Sequence, residues 1–224
     1  MVDFNKLIDN YLERELRPKT IGRYYPSEIG GCLRKAWYSY KIPKETDAEL
    51  RKIFWVGDMI HNFVVEVIKS EKNPSVELVA AELPFQINVD DFVISGRVDD
   101  IILLKVEDKK LLVEVKSTSY IDYTNEPKEA HVIQLMLYMQ AMKINEGIVL
   151  YVEKNTLKTK TFPLKFDEAL ANVTLNRFKT LHKHLVSDLI PDPEARIVKS
   201  LSWMCAKCNY REECYKATPK DVIP

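Results

Sequence analysis

The sequence is poor in the features that mark several large classes of protein. Its 224 residues include only 4 Cys and 6 Gly, which excludes a disulfide-dense mini-protein and a collagen-like chain. No apolar run approaches the roughly 18 residues that cross a bilayer. The 33 Lys and Arg residues balance 33 Asp and Glu residues, which excludes a globally basic nucleic-acid binder. Any DNA or RNA site must therefore be a local cluster.

Signals for export and for nucleotide-driven movement are also missing. Residues 1–19 show no charged head followed by an apolar stretch, so we expect no secretory signal and no membrane partner. A phosphate-binding G-x-x-x-x-G-K-[ST] pattern is absent, which excludes a motor. These absences predict a soluble, cytoplasmic protein.

Hydrophobic periodicity predicts a helical first part and a mixed later part. Helices are predicted over 3–16, about 27–42 with Ser27 as N-cap, 47–72 with Thr46 as N-cap, 126–143 and 166–189. Strands are predicted over 76–87, 92–105, 110–116, 147–155 and 157–164. This order predicts an α/β fold with a central mixed β-sheet flanked by helices.

The strand LLVEVKS carries the main chemical signal. Side chains alternate along a strand, so Glu114 and Lys116 point to the same face. On the preceding strand, Asp99 or Asp100 can face Glu114, and Gly96 leaves room for close approach. Two carboxylates beside an ammonium suit a divalent cation and phosphodiester hydrolysis. The alternative is that E-x-K on a strand forms a surface ion pair.

Two predicted helices add polar pairs at a spacing of four. Gly57 and His61 share one helix face, and Gln134 and Tyr138 share another. A His ligand beside carboxylates would favour Mn²⁺ over Mg²⁺. The alternative is that His61 and Tyr138 are ordinary core residues.

The ordered set of motifs resembles the RecB-type nuclease family of the PD-(D/E)xK superfamily. The resemblance covers roughly residues 50–155 and lacks the family's usual Pro before the first Asp. It rests on Gly57-x-x-x-His61, Gly96-x-x-Asp99, Glu114-Val115-Lys116 and Gln134-x-x-x-Tyr138. It implies a restriction-endonuclease-like core inside a single domain, 1–224.

The resemblance also implies roles for individual residues. Lys116, Asp99 and Glu114 would be catalytic, and Gln134 and Tyr138 would face DNA. The ligands of Mn²⁺ or Mg²⁺ would be His61, Asp99, Glu114 and the backbone carbonyl of Val115.

Cysteines lie at both ends of the chain, as Cys32 and as Cys205-x-x-Cys208-x5-Cys214. Four thiolates hold either Zn²⁺ or an iron–sulfur cluster, and the spacing does not separate the two. One early Cys and three late ones resemble iron–sulfur RecB-type nucleases, including the CRISPR-associated Cas-four family and AddB-like proteins. That resemblance implies a [4Fe–4S] cluster. It would staple an appendage, about 1–45 plus 191–224, beside a core of about 46–190.

Contacts to DNA are predicted from charge and aromatic content. Arg23 and Tyr24 belong to a basic and aromatic N-terminal cluster, whose alternative is a solvated helix face over aromatic core. Tyr151 and Lys154 would line the groove, because their strand should neighbour that of Glu114. Three histidines have no predicted Asp or Glu neighbour and are therefore predicted to be surface or packing residues: His131, His182 and His184.

The compact chain most resembles the Cas-four family. This implies an exonuclease on single-stranded or frayed-end DNA, acting 5′ to 3′ with Mg²⁺ or Mn²⁺. It would trim DNA fragments for CRISPR spacer acquisition, before the Cas-one and Cas-two integrase captures them. Two alternatives stay open: a nuclease of the same fold in repair, recombination or a virus, and a zinc-stapled, non-catalytic DNA-binding protein. The oligomeric state is left open.

Overall fold

The computed structural model describes residues 1–81, 83–96, 101–106, 109–206 and 208–217. The helices are α1 Phe4–Leu12, α2 Pro26–Ile29, α3 Leu33–Lys41, α4 Ala48–Lys69, α5 Glu129–Met142, α6 Glu168–Val186, α7 Glu194–Ile197 and α8 Arg211–Ala217, with a 3-10 helix at Lys199–Cys205. The strands are β1 Arg23–Tyr24, β2 Val76–Ala81, β3 Phe85–Val89, β4 Phe92–Gly96, β5 Ile101–Val106, β6 Lys109–Thr118, β7 Glu146–Glu153 and β8 Thr159–Lys165. The predicted α/β class is confirmed.

Two mixed sheets replace the one predicted central sheet over the described ranges. The larger has the order β2-β5-β6-β7-β8, and the smaller has the order β1-β4-β3. The run 76–87, predicted as one strand, is two strands in different sheets. Pro84 lies between them and has no N–H for a ladder. The run 92–105 likewise contributes β4 and β5 to different sheets.

Strand β6 lies at the centre of a three-layer arrangement. On one face, Ile60 and Val64 of α4 pack against Val113 and Val115. On the other face, residues of α5 pack against Leu112, Val149 and Tyr151. Strands β6 and β7 are parallel, with α5 as the crossover between them. The middle of β6 is therefore removed from water on both sides, so a charge there needs a compensating partner.

Two of the predicted helices begin at different N-cap residues in the structure. Helix α4 is capped by Asp47 and not by Thr46, since its carboxylate accepts from Glu49 N at 2.9 Å. The predicted helix over about 27–42 is two helices with Tyr25 and Cys32 as N-caps, so Ser27 is not a cap. The two separate at Gly30, where an added Cβ would lie 2.6 Å from Ala130 Cα of α5.

The N-terminal segment shares a core with the rest of the chain. Strand β1 pairs in parallel with β4, and residues of α2, α3 and α6 form one apolar cluster with Tyr210 of the tail. The division into a core and an appendage stays a prediction. Among the described residues, no helix has both the length and the apolarity that crossing a bilayer requires.

Candidate functional site

Strand β6 carries an ion pair at its centre whose carboxylate is fully buried. Glu114 is 0% exposed, and its Oε1 forms an ion pair with Lys116 Nζ. The two residues lie two positions apart and therefore share a face, as the sequence predicts. Placing a carboxylate in this position is costly without a charged or metal partner. The pair thus marks the centre of the candidate site.

The predicted aspartate ligand lies outside the described residues. In the ladder between β5 and β6, Ile101 is opposite Glu114. Asp99 and Asp100 directly precede this register position, but neither is described. Their predicted alignment with Glu114 stays a prediction. Gly96 has the expected close approach, since an added Cβ would lie 2.2 Å from Cε1 of Phe85.

Helix α4 brings His61 to the strand that carries Glu114. His61 is 6% exposed, and its neighbour Ile60 packs on Val113 and Val115. Val115 is itself buried within β6. An imidazole, a carboxylate and a backbone carbonyl thus occur on two neighbouring elements, although Val113 and Val115, and not Glu114, form the face of β6 that packs against α4. Their donor types fit Mn²⁺ or Mg²⁺. Within the described residues, no three His, Cys, Asp or Glu side chains converge closely enough to hold a metal ion.

Helix α5 places the predicted polar pair inside the protein. Gln134 donates from Nε2 to Tyr138 Oη at 2.6 Å, and both side chains are buried. Tyr138 also packs against Leu112 of β6 and Phe85 of β3. The spacing of four therefore gives the expected contact, beneath the protein surface. A DNA-side role for the pair stays a prediction.

Sequence reasoning missed His131, which joins the site through Tyr151. Its Nδ1 lies 2.7 Å from Tyr151 Oη, which accepts from Lys128 N at 3.0 Å. Tyr151 is opposite Lys116 in the ladder between β6 and β7. The signal available in the sequence was the position of His131 three residues before Gln134, one turn along the same helix face.

Tyr24 is a core residue, which corrects its prediction as a DNA contact. It is 0% exposed, and its Oη lies 2.6 Å from His182 Nδ1. Burial is the largest of the effects that raise its pKa to about 12. His182 in turn contacts Asp91 Oδ2 at 3.1 Å, so the expectation that it lacks carboxylate company is wrong. The Tyr24 ring fills the core and has no face for a base.

Two of the other predicted DNA contacts, Arg23 and Lys154, lie nearer the surface, and the third, Tyr151, does not. Arg23 is exposed and donates from Nε to Ser95 Oγ at 2.9 Å. Lys154 is half-buried just after β7, and its backbone N–H donates to Thr118 O at 2.9 Å. The expectation that the strand of Tyr151 neighbours that of Glu114 is confirmed. Tyr151 itself is buried, so its ring has no exposed face.

A large groove lies beside α1, α3 and the start of α4. Its volume is about 960 Å³. Within it, Lys19 is held by Glu28 at 2.5 Å and Ser39 at 2.9 Å. Several cations of the predicted N-terminal cluster line it with two further basic residues: Arg14, Arg17, Lys19, Lys35, Lys44 and Arg51. Four acidic residues also line this concave surface: Glu15, Glu28, Glu45 and Asp58.

The four cysteines meet at one small cavity of about 30 Å³. Burial, and then the sulfurs of Cys32, Cys208 and Cys214, raises the pKa of the Cys205 thiol. Arg34 Nη1 lies 3.8 Å from Cys214 Sγ. The first cysteine and the last three therefore line the same cavity, but among the described residues no three of them lie close enough together to hold a metal ion.

An arginine clamp fixes the backbone on both sides of Cys32. Arg177 contacts Glu194 through two bonds of 3.0 and 3.1 Å and donates to Gly31 O at 2.9 Å. Glu194 also accepts from Leu33 N at 2.8 Å. Helix α6 and the tail thereby hold Cys32 in place at the start of α3.

Comparison with known proteins gives a consistent fold. The family profile described as the PD-(D/E)XK nuclease superfamily matches residues 26–215. The crystal structure of SSO0001 is similar with a TM-score of 0.61 at 20% identity, over 96% of this chain and 93% of that one. LHK-Exo, an alkaline exonuclease from Laribacter hongkongensis, solved with dAMP, gives 0.50 at 11% identity, over 84% and 95%. No curated protein matches.

Proposed function

Because the chain belongs to the PD-(D/E)XK nuclease superfamily, we propose that it is a divalent-metal-dependent nuclease that hydrolyses DNA. The observation that carries the proposal is the ion pair on β6 between the fully buried Glu114 and the partly exposed Lys116. A charged pair at the centre of a sheet is expensive to maintain and is typical of a functional site. The alternative of a surface E-x-K pair does not apply, since Glu114 is inaccessible to solvent.

The cation would be held by His61, Asp99, Glu114 and the carbonyl of Val115. When bound, Mn²⁺ or Mg²⁺ supplies polarisation of a phosphate oxygen and a lower pKa for a coordinated water. Lys116 holds its ammonium against the Glu114 carboxylate. From there it orients the attacking water and stabilises negative charge that develops on the phosphate.

The proposed substrate is single-stranded or frayed-end DNA, degraded as an exonuclease from 5′ to 3′. The groove beside α1, α3 and α4 supports this through its six basic residues, which outnumber its four acidic ones, because cations contact phosphates without reading sequence. The biological role we propose is trimming of fragments in the cytoplasm for CRISPR spacer acquisition, ahead of a Cas-one and Cas-two integrase. This role rests on the motif and cysteine pattern of the sequence.

The cysteine cavity is proposed to hold a [4Fe–4S] cluster that joins Cys32 to the tail. Its support is that all four cysteines line one cavity; the ligand sulfurs would have to move closer together when the cluster binds. The cluster would act as a structural cross-link, with Cys32, Cys205, Cys208 and Cys214 as its ligands.

The test of the nuclease proposal is cleavage of a labelled single-stranded oligonucleotide with Mn²⁺. The purified wild type should degrade it, and EDTA should abolish the reaction. Lys116→Ala and Glu114→Gln should each lower the rate by 100-fold or more, an order typical of removed electrostatic stabilisation. Lys110→Ala is the matched control, because Lys110 lies on the same strand but is exposed at its start.

Labels at either end separate the outcomes. Loss of a 5′ label as mononucleotide supports the proposed polarity. Wild type, Lys116→Ala and Lys110→Ala with equal rates would remove the assigned site. Binding without cleavage, together with zinc in the purified protein, would favour the non-catalytic DNA-binding alternative.

A further inference from the structure

His131 is held at the candidate site by a buried chain of hydrogen bonds. The backbone N–H of Lys128 donates to Tyr151 Oη at 3.0 Å, and His131 Nδ1 lies 2.7 Å from the same oxygen. Tyr151 is buried and lies opposite Lys116 in the sheet. The imidazole is therefore fixed against the strand next to β6.

The chain of bonds determines which nitrogen of His131 carries its proton. A tyrosine hydroxyl has one proton to donate, and Tyr151 Oη already accepts from Lys128. If His131 Nδ1 donated as well, the buried hydroxyl would have no acceptor among the described residues, which is costly. Tyr151 therefore donates to Nδ1, and the proton of the neutral imidazole is on Nε2.

The imidazole stays neutral at physiological pH. Burial, followed by the positive charges of Lys116 and Lys128, lowers the pKa of His131 to about 3. Tyr151, which contacts the ring, is opposite Lys116 in the ladder between β6 and β7, so the ring lies on the side of the sheet that carries the Lys116 side chain. His131 is thus an uncharged hydrogen-bond donor beside a charged one.

The Nε2–H group faces accessible space. No described residue accepts a hydrogen bond from it. The Nε2 atom is also not one of the described polar atoms that are buried without a partner, so it is accessible. His131 is only half-buried as a residue. Solvent therefore reaches this nitrogen, and an acceptor from a bound molecule can do the same.

We propose that the Nε2–H of His131 donates to a non-bridging phosphate oxygen of the DNA strand and, with Lys116, positions that phosphate at the ion pair. This rests on the proposed function and adds a substrate-positioning residue to it. The fixed tautomer matters, because the alternative tautomer would present a lone pair to the phosphate and repel it.

The test measures binding in EDTA, so that it does not depend on cleavage. The dissociation constant of a labelled single-stranded oligonucleotide is measured by fluorescence anisotropy. His131→Phe keeps a ring but removes the donor, and should weaken binding about 10-fold or more, the scale of a hydrogen bond to a charged group. His131→Gln keeps an N–H at similar reach and should recover most of the loss. Thermal unfolding checks that each variant is folded.

A neutral linkage distinguishes a phosphate contact from a packing effect. A series of strands is prepared, each with one methylphosphonate at a different position. In the strand whose neutral linkage replaces the phosphate that His131 contacts, the charged acceptor is missing. The loss of affinity caused by His131→Phe should there shrink to less than twofold. Tyr151→Phe removes the hydrogen bond that fixes the tautomer and should weaken binding of the unmodified strand by about twofold, because the free imidazole keeps its proton on Nε2 about half the time; this provides a second variant if His131→Phe does not fold.

The possible failures are separable. Equal affinity of wild type and His131→Phe, or an unchanged penalty with every methylphosphonate strand, would overturn the role of His131. Neither result bears on cleavage by the wild type, which tests the nuclease proposal separately.

Discussion

Among single residues, His131 shows most clearly how the fold controls a proton. Its folded pKa is about 3, against an ordinary His pKa of about 6.5. Between these values the unfolded chain binds a proton that the folded protein does not. By linkage, acidification from about pH 6.5 towards pH 3 therefore favours the unfolded state.

This linkage predicts a difference between wild type and His131→Gln. The free energy of unfolding of the wild type should fall more between pH 7.5 and pH 5, by up to about 2 kcal/mol, since pH 5 lies about 1.5 units below the ordinary pKa. Water that reaches the ring will reduce this value. Urea unfolding at both pH values measures it. Parallel losses in the two proteins would contradict the assigned pKa.

Residue pairs were predictable where the spacing is local. The shared face of Glu114 and Lys116 follows from strand alternation, and the contact of Gln134 with Tyr138 follows from helical spacing. The burial of Tyr24 was not predictable. It depends on α3, β4 and α6 packing around one ring. These contacts are between residues far apart in the sequence, so local sequence patterns do not predict them.

At the scale of elements, two glycines have opposite steric surroundings. An added Cβ at Gly57 in α4 meets only Ser117 Oγ, at 3.8 Å, which is ordinary contact. An added Cβ at Gly96 at the end of β4 would lie 2.2 Å from Phe85 Cε1. The Phe85 ring is buried, so it cannot move away freely. The helix can accept a methyl group, and the strand cannot.

Alanine at these positions should therefore change stability in opposite directions. Gly57→Ala should raise the free energy of unfolding by up to about 1 kcal/mol, because alanine favours the helix. Gly96→Ala should lower it by about 1–3 kcal/mol through overpacking. Chemical denaturation of both variants beside the wild type tests the pair. A stable Gly96→Ala variant would show that Phe85 moves without cost.

Element type was easier to predict than element partnership. The apolar runs 76–87 and 92–105 correctly indicate strands, but each divides between two sheets. Periodicity reports which face of a strand is apolar and carries no information on its partner. The choice of sheet depends on contacts with distant residues, such as the pairing of β1 with β4.

For the whole molecule, the two ends of the chain are joined at the cysteine cavity. Arg177 and Glu194 hold the backbone around Cys32, and Arg34 donates to Pro191 O at 2.5 Å and contacts Cys214. A cross-link between such distant segments removes much of the entropy of the unfolded chain. In the chain-entropy model, a covalent bridge over about 100 residues contributes about 4–5 kcal/mol.

Loss of one cysteine should therefore affect stability before chemistry. Under the proposal of a [4Fe–4S] cluster, Cys208→Ser should contain less iron and absorb less visible light than the wild type and should unfold at a lower temperature, while its folded fraction keeps Mn²⁺-dependent cleavage. Met204→Leu is the control, because Met204 lines the same cavity and the change conserves volume. Iron and sulfide analysis with a thermal melt measures both. A colourless wild type that contains zinc would contradict the cluster.

The joining of Arg34 to Cys214, 180 positions apart, also orders events during synthesis. Strands β6 and β7 with α5 leave the ribosome well before Cys214, so the larger sheet can assemble first. The contact between Arg34 and Cys214 closes only after translation has passed α8. A chain truncated before α8 would therefore keep the strand that carries the Glu114–Lys116 ion pair but lack the contact between Arg34 and Cys214.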